Sequence, residues 1–98
     1  MESTDARRNV RRFLDADDRI KVWPSKLKDR KLVLGWLAAR FEPGHHYAER
    51  EVNEILKRLH TFEDWALLRR ALIDYRFLER LGDGSRYWRR ESDAPRSG

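Results

Sequence analysis

Ten basic side chains fall into three groups that could bind anions. Lys26, Lys28, Arg30 and Lys31 crowd the predicted start of a helix. Arg69 and Arg70 stand together in a later helix. Arg80, Arg86, Arg89 and Arg90 flank a Gly82-Asp83-Gly84 turn. Lysine and arginine heads are donors only. Beside the free backbone N–H groups of a helix start they make a site for phosphate. Cations there oppose the helix dipole, which makes the first group an unusual one. The plain alternative is a solvated face, with Asp29 partly compensating the lysines and Asp74 pairing with Arg70 at i+4.

Other chemistries are poorly represented. His45 and His46 are adjacent, so both cannot easily hold one metal from a strand, and His60 suits a helix end. The chain has no Cys, hence no disulfide and no thiolate zinc site. It has no His-Glu-His helical spacing, no glycine-rich phosphate loop and no carboxylates paired as acid and base in a pocket. A non-enzymatic protein without metal or cofactor is expected.

The 98 residues suffice for one domain. Because 40% of them are charged, the core must come from a few apolar stripes, with four Trp, four Phe and three Tyr supplying much of it. The net charge of +5 is unevenly spread. Residues 25–41 hold five basic against one acidic residue, residues 42–64 three against six, and residues 65–98 eight against five. A positive surface favours polyanions. No apolar run approaches the ~20 residues of a membrane span, and no signal peptide is visible, so a cytoplasmic protein is expected.

The elements that would position these cations follow from periodicity. Residues 1–4 and 91–98 read as frayed ends. Residues 5–23 read as an N-terminal helix (Asp5 to Leu14) and a short strand (Arg19 to Trp23), packed on a core of residues 24–90. Ser25 is a natural N-cap for a helix to Phe41, whose face is Leu27, Leu34, Leu37, Ala38 and Phe41, widened by Val33 and Trp36. Val52, Ile55, Leu56 and Leu59 predict a helix over Glu49–His60. Trp65, Leu68, Leu72 and Tyr75 predict another over Glu63–Tyr75, with Glu63, Ala66, Arg69, Arg70, Ile73 and Asp74 outward. The short connection at Thr61-Phe62 forces the two to cross sharply, as in a helix-turn-helix. A hairpin spans Phe77–Arg90. Leu78 faces Trp88 if its loop has three residues and Arg89 if it has two; packing favours Trp88. Tyr87 and Trp88 then point to opposite faces.

Arg19-Ile20-Lys21, Trp23-Pro24-Ser25-Lys26, Phe41-Glu42-Pro43-Gly44, Glu51-Val52-Asn53-Glu54-Ile55-Leu56, Leu68-Arg69-Arg70, Asp74-Tyr75, Asp83-Gly84 and Tyr87-Trp88-Arg89 together resemble the signature of a bacterial domain of unknown function with a winged-helix-like pattern. That family occurs alone or fused to helix-turn-helix transcription regulators, and the resemblance covers about residues 10–90. It implies a regulatory setting. His45-His46-Tyr47 would be the first small strand of such a fold. Three positions depart from the family: Ala48 stands for a Thr that would complete a capping box with Glu51, Arg76 for a Gly after the last helix, and Leu27 for a basic residue.

The expected fold is therefore α+β, a winged helix-turn-helix with a three-helix core and a hairpin wing. The expected partner is duplex DNA, contacted by Lys26, Lys28, Arg30 and Lys31, by Arg69 and Arg70, and by Arg80, Arg86, Arg89 and Arg90. A homodimer could bind paired half-sites, and a transcription regulator is a second candidate partner. Against base reading stands the acidic start of the last helix, Glu63-Asp64-Trp65, where such helices usually enter the major groove. The alternative is a winged-helix protein-interaction module. Carboxylates among Arg69, Arg70 and the wing arginines would favour it. Single-stranded nucleic acid is a weaker reading, for want of a broad stacking platform.

Overall fold

The computed structural model describes residues 10–90. The expected frayed ends, and the first half of the expected N-terminal helix (residues 5–9), lie outside them. Helix α1 is Leu27–Ala38, strand β1 His46–Tyr47, helix α2 Glu49–Leu59 and helix α3 Trp65–Asp74. Strands β2 (Leu78–Arg80) and β3 (Tyr87–Arg89) form the hairpin. The sheet is antiparallel in the order β1-β3-β2. Among the described residues, three helices with a small three-stranded sheet make an α+β fold compatible with a winged helix.

Val33, Leu34, Leu37 and Ala38 of α1, with Phe41 beyond its end, meet Val52 and Leu56 of α2 and Leu68, Ala71 and Leu72 of α3 in one core. Leu78 and Tyr87 close it from the sheet, and Ile20 from the N-terminal segment. Burying side chains of this size contributes about 1.5–3 kcal/mol each. Leu27 is a correction: it is 56% exposed. At this end of α1 the buried position belongs to Asp29, which pairs with Arg12 at 2.8 Å. The N-cap is also not Ser25 but Lys26, which makes no side-chain cap bond.

The expected strand Arg19–Trp23 is reduced to single bridges from Ile20, to Leu14 and to His60. Ile20 N–H donates to the Leu59 carbonyl (2.7 Å), and the Ile20 carbonyl accepts from Thr61 N–H (3.0 Å). Pairing ends there because Val22 already faces solvent and Pro24 has no N–H to give.

The α2–α3 turn is organised by His60, buried at 4% exposure. Its Nδ1 lies 2.6 Å from the Leu56 carbonyl, and its Nε2 accepts Asp64 N–H at 2.8 Å. Nδ1 therefore carries the proton, because a carbonyl can only accept. Asp64 caps α3 by accepting Leu67 N–H (3.2 Å). At the other helix start, Ala48 offers no acceptor, and only the Glu51 half of a capping box forms, taking Ala48 N–H at 2.8 Å.

The hairpin register pairs Leu78 with Arg89 and Arg80 with Tyr87, against the packing-based preference for Leu78 opposite Trp88. The turn decides it. Gly84 N–H donates to the Leu81 carbonyl, Leu81 N–H to the Arg86 carbonyl, and Ser85 N–H to Asp83 Oδ1. Gly84 takes φ +77°, where any side chain is strained. Tyr87 is buried and Trp88 half-buried, stacked on His46 with ring centroids 4.9 Å apart.

Candidate functional site

Arg30 and Arg70 come together across a groove of 580 Å³ between the Trp23-Pro24 corner and the outer flank of α3. Ala66, Leu67 and Ala71 line it with Trp23 and Tyr75, and Arg69 lies in the same lining. Arg30 is aimed by its own surroundings: Nε donates to the Pro24 carbonyl at 2.7 Å, and the guanidinium lies 5.2 Å from the Trp23 ring centroid. Arg70 is exposed, and the alternative pairing with Asp74 is not among the ion pairs of the described residues. Asp64 and Asp74 line the same groove.

Although Arg69 also lines the groove, its head is held by α2. Its Nη1 donates to Asn53 Oδ1 and sits 3.9 Å from Glu49 Oε2, both on α2. The same Glu49 accepts the Tyr87 hydroxyl at 3.0 Å. A Cβ on Gly84 would lie 3.3 Å from Arg80 Nη1 and 3.5 Å from Glu49 Oε1, so the wing turn folds against the start of α2. Burial, and then the Glu49 carboxylate, push the Tyr87 hydroxyl above its ordinary pKa. Bonds from the Ser85 hydroxyl and N–H hold Asp83 below the usual carboxylate range, which keeps the tip ionised and shaped.

The ten sequence-predicted residues thus divide. Lys26 and Lys28 are exposed beside the groove corner, and Arg80 and Arg86 are exposed on the wing. Arg69, expected nearest the bases, is instead an interhelical brace. Arg89 points inward and donates to the Phe41 carbonyl at 3.1 Å. Arg90 lies 3.8 Å from Glu79. Lys31 does not line the groove; it belongs to a separate cleft with Leu32 and Trp36. Glu49, Asn53 and Tyr87 were missed as a unit, because Glu49 and Tyr87 lie 38 residues apart and no local pattern joins them.

No helix among the described residues is long and apolar enough to cross a membrane. No curated protein and no solved structure shows significant similarity to the chain. Residues 19–89, most of the described chain, match a family described as an uncharacterized protein conserved in bacteria. The protein therefore belongs to this bacterial family, DUF2087.

Proposed function

We propose that the protein is a small winged helix-turn-helix that binds duplex DNA in transcription regulation. One observation carries this reading. Cations stand at both the helix and the wing: Arg30 and Arg70 share the groove at the Trp23-Pro24 corner and α3, and Arg80 and Arg86 are exposed at the wing turn that folds against Glu49. Helix and wing are the elements such a fold lays on DNA, and cations at both ends suit two stretches of phosphate. Contacts come from Lys26, Lys28, Arg30, Arg70, Arg80 and Arg86, with Arg69 as a brace.

The start of α3 is spent on structure. Asp64 is a cap, and Trp65 carries Lys57 at 4.5 Å from its ring centroid. Binding therefore rests on phosphates, with Arg70 the side chain placed to reach a base edge. Fluorescence anisotropy of a mixed-sequence duplex across several salt concentrations tests the proposal. Salt-dependent binding, weakened by Arg70→Gln and Arg86→Gln with the fold intact, is the expected result. No binding at low salt would overturn it.

A second reading keeps the fold and changes the partner. Asp64 and Asp74 share the groove with Arg30 and Arg70, and Trp23 and Tyr75 line it with Ala66, Leu67 and Ala71. Both signs of charge around aromatic side chains suit a protein segment. Absence of DNA binding, with pull-down of a regulator lost in Trp23→Ala, would favour that module.

A further inference from the structure

Helix α1 is apolar on two faces. Val33, Leu34, Leu37 and Ala38 enter the core. Leu32, Gly35, Trp36 and Ala39 lie on the opposite face, by the 100° step of a helix. A helix apolar all round is normally covered all round. Among the described residues, Val10 and Leu14 cover the second face in part and a cleft of 480 Å³ lies beside them, within the range of small-molecule sites.

Gly35 lies within this face, at the ninth of the helix's twelve residues. Glycine inside a helix is unfavourable relative to alanine. Core packing does not demand it, since an added Cβ would meet only Phe77 Cε1, at an ordinary 3.6 Å. Gly35 lines the cleft, so a longer side chain there would narrow it. The rim is cationic, with Arg11, Lys31 and Arg40 against Asp18. Arg40 is fixed, its guanidinium 3.8 Å from the Trp36 ring centroid and its Nη1 donating to the Trp36 carbonyl at 3.2 Å. Asp18 holds φ +61° at the mouth. Two copies of the chain meeting here would oppose like-charged rims, which disfavours a dimer as the cover.

We infer that this cleft binds a small amphipathic carboxylate, its apolar part over Gly35 and against Trp36, its head on the cationic rim. The site lies on the face of α1 away from the core and shares no lining residue with the α3 groove, so the inference stands independently of DNA binding.

The test is a titration of the ¹⁵N-labelled 98-residue chain with octanoate, and with 1-octanol as the neutral comparator, followed by NMR. Saturable shifts at Leu14, Leu32, Gly35 and the Trp36 indole are expected, with octanoate about tenfold tighter than octanol through a charge-assisted bond. Lys31→Met should remove most of that preference. Gly35→Leu should block both ligands, and Gly35→Ala, which keeps the helix, should weaken both. No saturable shift up to millimolar octanoate, shifts centred elsewhere, equal affinity for octanol, or shifts that follow protein concentration without ligand would each overturn the inference.

Discussion

Arg76 sits at φ +66°, immediately after α3. Its N–H donates to the Ile73 carbonyl at 3.0 Å, and Phe77 N–H reaches back to Leu72 at 2.8 Å. This paired helix ending requires a left-handed residue, and glycine is the usual occupant. An L side chain in that conformation costs roughly 1–2 kcal/mol, offset in part by the greater entropy glycine loses on folding. Arg76→Gly should therefore stabilise the protein by up to ~1 kcal/mol, read as a higher urea midpoint at unchanged m-value. Destabilisation would mean that the arginine head makes a contact worth more than the strain. Tyr87 gives the second residue-scale expectation. Its folded pKa is raised, so its contribution is complete below the ordinary value of 10.0 and is lost as pH rises through the folded pKa. Tyr87→Phe should cost about 1 kcal/mol at neutral pH and lose less stability than the parent above pH 10. Parallel alkaline profiles would detach the hydroxyl from folding.

At the scale of elements, α3 is fixed by three fully or nearly buried side chains, Leu68, Ala71 and Leu72. Leu72→Ala should destabilise the domain by about 2–5 kcal/mol, seen in urea or thermal unfolding; a change near zero would mean that the helix is phased differently. The stripe that contains Leu72 was legible because period 3.6 is a local signal, and so were the cap-to-cap extents of α2 and α3 within a residue or two. That His46–Tyr47 is a strand was expected only from its place in a winged-helix order, and its pairing with β3 is a finding of the structure. What escaped the sequence was non-local. Arg69 looked outward by periodicity, but sits at the edge of the stripe where α2 can claim it. Leu27 fitted the stripe by spacing, yet lies where Asp29 and Arg12 occupy the helix end. The hairpin register turned on backbone bonds among Leu81, Gly84 and Arg86, which outweighed the side-chain match used to choose it.

For the whole molecule, charge placement matters more than the net +5. Three of the ten cations are spent internally, at Asn53, Phe41 and Glu79, and Lys31 lies in the separate cleft. The remaining six set the strength of the proposed DNA interaction. With each neutralising one phosphate, the log–log salt dependence of the binding constant should have a slope of roughly −5. Arg86→Gln should make that slope shallower by about 0.9, while Arg89→Gln should leave it unchanged and lower stability, since Arg89 serves a carbonyl inside the fold. The contrast between neighbouring arginines on one wing is the discriminating part. Generic attraction between a basic protein and a polyanion would respond equally to either substitution. A contact surface organised by α3 and the wing responds only to the arginine left outside.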